Sequence, residues 1–147
     1  SAAQEEMADR GRSLAYPRAI RQLEDLMSTV ALTNKNFEQT VMGEGIVLVD
    51  FWAAWCGPCR QFAPVFEQAS EDHPDIVFGK VDTEAEQELA AAARVSAIPT
   101  LMAFRDGVLV FSQPGALPAT ALAQVIDAVR ALDMSEVHRK LAAHPAA

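Results

Sequence analysis

Seven consecutive residues, Ile46-Val47-Leu48-Val49-Asp50-Phe51-Trp52, are apolar except for one aspartate. A run this short, continuous and rich in branched and aromatic side chains predicts a buried strand. Small residues follow, and then Phe62, Val65, Phe66 and Ala69 recur at i, i+3, i+4 and i+7, as on one face of an amphipathic helix. The only two cysteines of the chain, Cys56 and Cys59, fall at this strand-to-helix junction. Cys56 is thereby placed at or near the helix N-terminus.

That position has chemical consequences. The first turn of a helix presents unpaired N–H groups and the positive end of the macrodipole, and both favour a thiolate over a thiol. A thiolate is the nucleophile of disulfide exchange. Cys59 lies one turn further along on the same side, within reach of Cys56. The pattern predicts a reversible dithiol/disulfide switch, in which Cys56 attacks a partner's disulfide and Cys59 resolves the mixed disulfide. Two other uses of the pair stand beside it. Half of a zinc site would need two further ligands, for which His73, His138 and His144 offer no metal-ligand spacing. A static disulfide closing so small a loop would restrain little of the unfolded chain.

Asp50 interrupts an apolar strand, where a charge is costly unless paired or protonated. It is either a carboxylate reaching solvent at a strand end or a buried acid of raised pKa. In the second case it is placed to take the proton of Cys59 and return it.

The rest of the chain supplies a sheet and its covering helices. Thr29–Leu32 predicts a short strand, and Thr33 the N-cap of a helix through about Val41, with Phe37 and Val41 inward. Gly43 and Gly45 punctuate its end. Pro64 falls inside the helix that follows the cysteines and is expected to kink it. Ile76–Val81 is the next buried run, and Glu84–Arg94 reads as a helix that is acidic at its start. Leu101–Arg105 and Val108–Ser112 flank Asp106-Gly107, a strong hairpin signal. Pro118–Arg130 predicts another helix, with Leu122, Val125, Ile126 and Val129 inward. Ser135–Ala142 reads either as one more short helix, with Val137 and Leu141 towards the domain, or as a solvated tail. Parallel crossovers followed by an antiparallel hairpin imply an α/β fold, a mixed sheet of four to five strands with helices on both faces.

Taken together, Val49-Asp50-Phe51-Trp52-Ala53, Trp55-Cys56-Gly57-Pro58-Cys59, Ala63-Pro64, Lys80-Val81-Asp82, Ala97-Ile98-Pro99-Thr100 and Pro114-Gly115-Ala116-Leu117 resemble the thioredoxins in order and spacing. The resemblance covers roughly residues 29–132. It implies a thioredoxin fold and a protein-disulfide reductase in which Asp50 is the buried acid and Lys80 tunes it electrostatically. It also implies a cis Ile98–Pro99 bond beside the disulfide. Trp55 is expected to shield the site and contact partners, whereas Trp52 is expected to pack. With Gly57, Pro58, Ile98, Pro99 and Gly115, Trp55 would form the substrate-docking surface. Arg60, where many relatives carry lysine, keeps a positive charge beside the thiolate. The Gly57-Pro58 pair lacks the histidine that oxidases and isomerases of this fold tend to carry, which implies a reductant and a cytoplasmic location. The resemblance further implies no bound cofactor and a redox-active Cys56–Cys59 disulfide recharged by thioredoxin reductase. NADPH and FAD would act only through that partner. Disulfide-containing proteins, such as peroxiredoxins and ribonucleotide reductase, would be the clients of a monomer.

Composition narrows the alternatives. A net charge of −8 argues against nucleic acid, which requires a basic face, and against anionic membrane surfaces. No apolar stretch approaches the length of a membrane span. Residues 1–28 form an N-terminal extension without an apolar signal region. It is either flexible or contains a short helix over Pro17–Met27, with Tyr16, Ile20 and Leu23 on the face of Met27. Met27-Ser28-Thr29-Val30 also reads as a natural translation start. Residues 133–147 form a C-terminal tail. Two other functions fit the sequence: a thioredoxin-fold binding or chaperone module, and an exported disulfide reductase.

Overall fold

The computed structural model describes residues 28–144. The expected helix over Pro17–Met27 lies outside these residues. Ten elements follow in the order β1 (Thr29–Ala31), α1 (Phe37–Val41), β2 (Ile46–Trp52), α2 (Gly57–Asp72), β3 (Val77–Asp82), α3 (Gln87–Ala92), β4 (Thr100–Arg105), β5 (Val108–Pro114), α4 (Ala119–Ala131) and α5 (Met134–Ala143). The strands make one sheet in the order β1-β3-β2-β4-β5. β3 runs parallel to both β1 and β2, and β4 runs antiparallel to β2 and β5.

β2 occupies the centre of the sheet, and Ile46 to Phe51 are all buried. Its alternation sorts two cores. Ile46 and Leu48 join Phe62 and Phe66 of α2, Phe78 of β3 and Leu122 and Ile126 of α4. Val47, Val49 and Phe51 join Val41, Val81, Leu89 and Met102 on the opposite face. The aromatic rings carry much of the first core, with Phe66 5.7 Å from Phe62 and 5.1 Å from Phe78 between centroids. Truncating one such ring to alanine typically costs about 3–5 kcal/mol. Asp50 has the parity of Leu48, so it faces the side that α2 covers. Lys80 and Trp52 have the same parity relative to Phe78 and Leu48.

One close approach requires glycine. A Cβ on Gly79, in β3, would collide with the side chain of Leu32. The hairpin turn between β4 and β5 places Asp106 at φ 51° and Gly107 at φ 81°, both left-handed as a type I′ turn requires. Asp106 also accepts a hydrogen bond from Gly45 N at 2.8 Å through Oδ1, which ties the hairpin to the start of β2.

Three helices depart from expectation. α1 begins at Phe37 rather than after Thr33, because Asn36 Oδ1 accepts from Thr33 N (2.7 Å) and Thr33 Oγ1 accepts from Lys35 N (3.2 Å), holding residues 34–36 in a turn. α3 begins at Gln87 rather than Glu84. The Asp82 carboxylate accepts from the amides of Glu84 (3.0 Å) and Ala85 (3.4 Å), so the side chain competes with helix at these positions. α5 is helical, with its first turn capped by Asp133 Oδ1 accepting from Glu136 N at 3.2 Å. Val137 is half-buried, but Leu141 is exposed rather than turned inward. α2 continues as one helix on both sides of Pro64.

Candidate active site

The site is built where β2 ends. Ala53 to Trp55 carry the chain out of the sheet, and Cys56 is the N-cap of α2, with extended backbone at φ −85° and ψ 115°. Its Sγ accepts the amide N–H of Cys59 at 3.2 Å. Sulfur thus takes the place of the oxygen that usually satisfies an orphan donor of the first turn. Gly57 and Pro58 occupy the first two helical positions, where proline's missing N–H costs nothing. Cys56 and Cys59 are joined as a disulfide with Cα atoms 5.2 Å apart. Both are almost fully buried and pack with Ala53, Trp52 and Ile98.

The loop before β4 brings a second wall to the cysteines. The Ile98–Pro99 peptide bond is cis, and the Ile98 carbonyl oxygen lies 3.6 Å from Cys56 Sγ. The Pro99 carbonyl accepts the Gly115 amide at 2.8 Å. Gly115 has φ 103° with open space where a Cβ would stand, so only glycine holds this corner without strain and without a projecting side chain. Trp55 and Pro58 are exposed at the rim, Gly57 and Ile98 are half-buried, and Pro99 is buried. The residues expected to form a docking surface are therefore gathered around one disulfide.

Beneath this face lies Asp50, fully buried. Among the described residues neither of its carboxylate oxygens has a hydrogen-bond partner, and neither does Trp52 Nε1. Burial pushes the Asp50 pKa up to about 7, against the lowering pull of Lys80. Asp50 and Lys80 stand opposite each other in the β2–β3 register. The Lys80 ammonium sits 5.1 Å from the centroid of the Trp52 ring, a cation–π distance. Lys80 is therefore an interior-strand residue laid across an indole, not one reaching a sheet edge. A cleft of about 690 Å³ alongside β1 is lined by Trp52, Lys80, Asp82 and Glu86 among others. Among the described residues no group of three or more His, Cys, Asp or Glu side chains could hold a metal ion.

The structure adds a contact that motif reading misses. The Trp55 indole N–H donates to Glu84 Oε1 at 2.8 Å. Arg60 Nη1 donates to the Ala54 carbonyl at 3.2 Å. The loop before the nucleophile is thus held from both sides. The acidic residues after Asp82 read in sequence as the start of a helix, and nothing in the spacing reveals which carboxylate would meet the tryptophan.

The thioredoxin family model matches residues 28–128, more than half of the chain. The chain belongs to the thioredoxin family. It is 60% identical over 117 residues to a protein of Streptomyces coelicolor named as a thioredoxin, with 80% of this chain and 87% of the relative covered. It is 44% identical over 99 residues to thioredoxin 1 of Synechococcus elongatus, covering 66% of this chain and 92% of that one. The crystal structure of Malassezia sympodialis thioredoxin superposes with a TM-score of 0.62 at 32% identity, covering 68% of this chain and 90% of the other. The bonded Cys56–Cys59 pair sits at the thioredoxin active-site position. The protein is a thiol–disulfide oxidoreductase, a protein-disulfide reductase of thioredoxin type, and the family implies thioredoxin reductase and disulfide-bonded clients in general. None of the helices of the described residues is long and apolar enough to cross a membrane.

Proposed function

We propose that the protein is a cytoplasmic, monomeric reductant of client disulfides in which Cys56 is the nucleophile and Cys59 the resolving thiol. The observation that carries this reading is the Cys56 sulfur serving as the N-cap of α2, where helix amides stabilise a thiolate. In the reduced protein the Cys56 thiolate attacks one sulfur of the client disulfide. A mixed disulfide forms, and the client's other sulfur departs as a thiolate. Asp50 then accepts the proton of the Cys59 thiol, and the new thiolate attacks Cys56 Sγ. The intramolecular disulfide closes and the second client sulfur leaves, so that two electrons have passed to the client. A pKa near 7 suits Asp50 to both taking and returning a proton at neutral pH. Lys80 tunes that acid through its charge.

Trp55, Gly57, Pro58, Ile98, Pro99 and Gly115 form the face on which the client chain lies, with the Ile98 backbone next to the reacting sulfur. Thioredoxin reductase returns the electrons, drawing them from NADPH through its FAD. Retention of Trp-Cys-Gly-Pro-Cys without an intervening histidine supports the reducing direction.

The test is NADPH consumption with insulin as disulfide substrate and a thioredoxin reductase. Wild type is expected to turn over, and Cys56→Ser and Cys59→Ser to abolish turnover. Insulin reduction driven by dithiothreitol separates a mismatched reductase from an inactive protein. Absence of both reactions would overturn the reading in favour of a binding module.

A further inference from the structure

Trp55 presents a difficulty for a docking surface. Its side chain is 66% exposed, so packing does little to fix it. A large exposed side chain that must be ordered when a client arrives weakens binding by roughly two- to tenfold. The indole is nevertheless held, because its N–H donates to the Glu84 carboxylate at 2.8 Å.

Glu84 is itself on a fixed mount. Its amide and that of Ala85 donate to Asp82 Oδ1. The next residue back, Thr83, donates twice to the Trp52 carbonyl, from N at 2.9 Å and from Oγ1 at 3.0 Å. The turn after β3 is therefore riveted to the end of β2, three residues before Trp55. Strand end, turn and indole form a closed frame, and Glu84 is the member that reaches across it. On the other side Arg60 holds the Ala54 carbonyl.

We propose that Glu84 is a positioning residue that fixes the Trp55 indole in its client-ready orientation and so sets the affinity for polypeptide disulfides. This rests on the reading that Trp55 belongs to the docking face. The role requires an acceptor at the Glu84 side-chain oxygen, not a negative charge. Glutamine retains such an acceptor and alanine does not.

The test compares full-length wild type, Glu84→Ala and Glu84→Gln in insulin reduction with saturating reductase, with the Trp55 indole N–H followed by NMR. In Glu84→Ala the KM for insulin is expected to rise roughly three- to tenfold with kcat changed less than about twofold. The indole resonance should shift and exchange faster with solvent. Glu84→Gln should restore both. An unchanged KM in Glu84→Ala would overturn the proposal, as would a fall in kcat without a change in KM. Glu84→Gln behaving like Glu84→Ala would overturn it too, by showing that charge and not position matters. Wild type failing to reduce insulin would instead overturn the functional reading beneath it.

Discussion

The two ends of α2 treat polar groups in opposite ways. At the C-terminal end an arginine is paired with an aspartate. Arg130 makes a two-pronged contact with Asp75, Nη1 to Oδ2 at 2.6 Å and Nη2 to Oδ1 at 3.0 Å, and lies 3.2 Å from His73 Nδ1, at the C-cap of α2. Arg105 Nη1 donates to the carbonyls of Val129, Arg130 and Leu132, the orphan acceptors at the end of α4. At the N-terminal end a carboxyl group lies buried with no protein partner among the described residues, and a tryptophan N–H is in the same condition. Two aspartates show the contrast directly. Arg130 holds Asp75 below the usual carboxylate range, and burial drives Asp50 up to about 7. Polar satisfaction stabilises one end, and the other keeps a buried carboxyl whose ionisation costs stability.

The largest expected effect is at Asp50. A carboxylate whose folded pKa exceeds its unfolded value adds stability at low pH that is lost as pH rises through the folded pKa. Between the ordinary value of 3.8 and about 7, ionisation should cost the native state up to about 4 kcal/mol. Asp50→Asn is therefore expected to be more stable than wild type in denaturant at pH 8 and to lose that advantage by about pH 4. It should also resolve mixed disulfides on the order of 10²-fold more slowly, measured by single-turnover quench. Equal stability of the two proteins at pH 8 would erase the contrast between the helix ends.

Next in size is Arg105→Met. It strips three carbonyl acceptors of a charged donor and is expected to destabilise by about 1.5–3 kcal/mol, read from the urea midpoint, while leaving insulin reduction intact.

The smallest effect belongs to the exposed pair. Asp75→Asn should barely move the urea midpoint at neutral pH, and salt should remove what difference there is. Because the Asp75 pKa is lowered, its contribution is present at neutral pH and disappears only as pH falls through and below the ordinary carboxylate range. A large loss at pH 7 would mean that a surface fork behaves like an interior one.

These comparisons mark how far the sequence could be read. Local pattern placed β2 and α2: a short continuous run rich in branched and aromatic residues favours a buried strand, and an i, i+3, i+4, i+7 stripe an amphipathic helix. The Asp106-Gly107 turn was equally plain. The start of α3 was misplaced because acidic residues at a helix start and a side-chain-capped turn share a composition, and Asp82 chose the turn. At the site, the cysteines announced their chemistry through spacing. The gathering of Trp55, Ile98 and Gly115 came only through family resemblance, since their separation in the chain carries no local signal. Glu84 and Arg105 escaped both routes, because long side chains reaching across elements leave no period behind.

The sulfur that caps α2 also binds two equilibria into one. A closed cycle joins the folded and unfolded chain in dithiol and disulfide forms, and its four legs must sum to zero. Any gain the first turn of α2 draws from thiolate sulfur therefore raises the melting point of the reduced protein and, by the same free energy, the electron affinity of the oxidised one. Paired calorimetric scans of the two forms would read how far folding shifts the protein's reduction potential from that of its own unfolded chain.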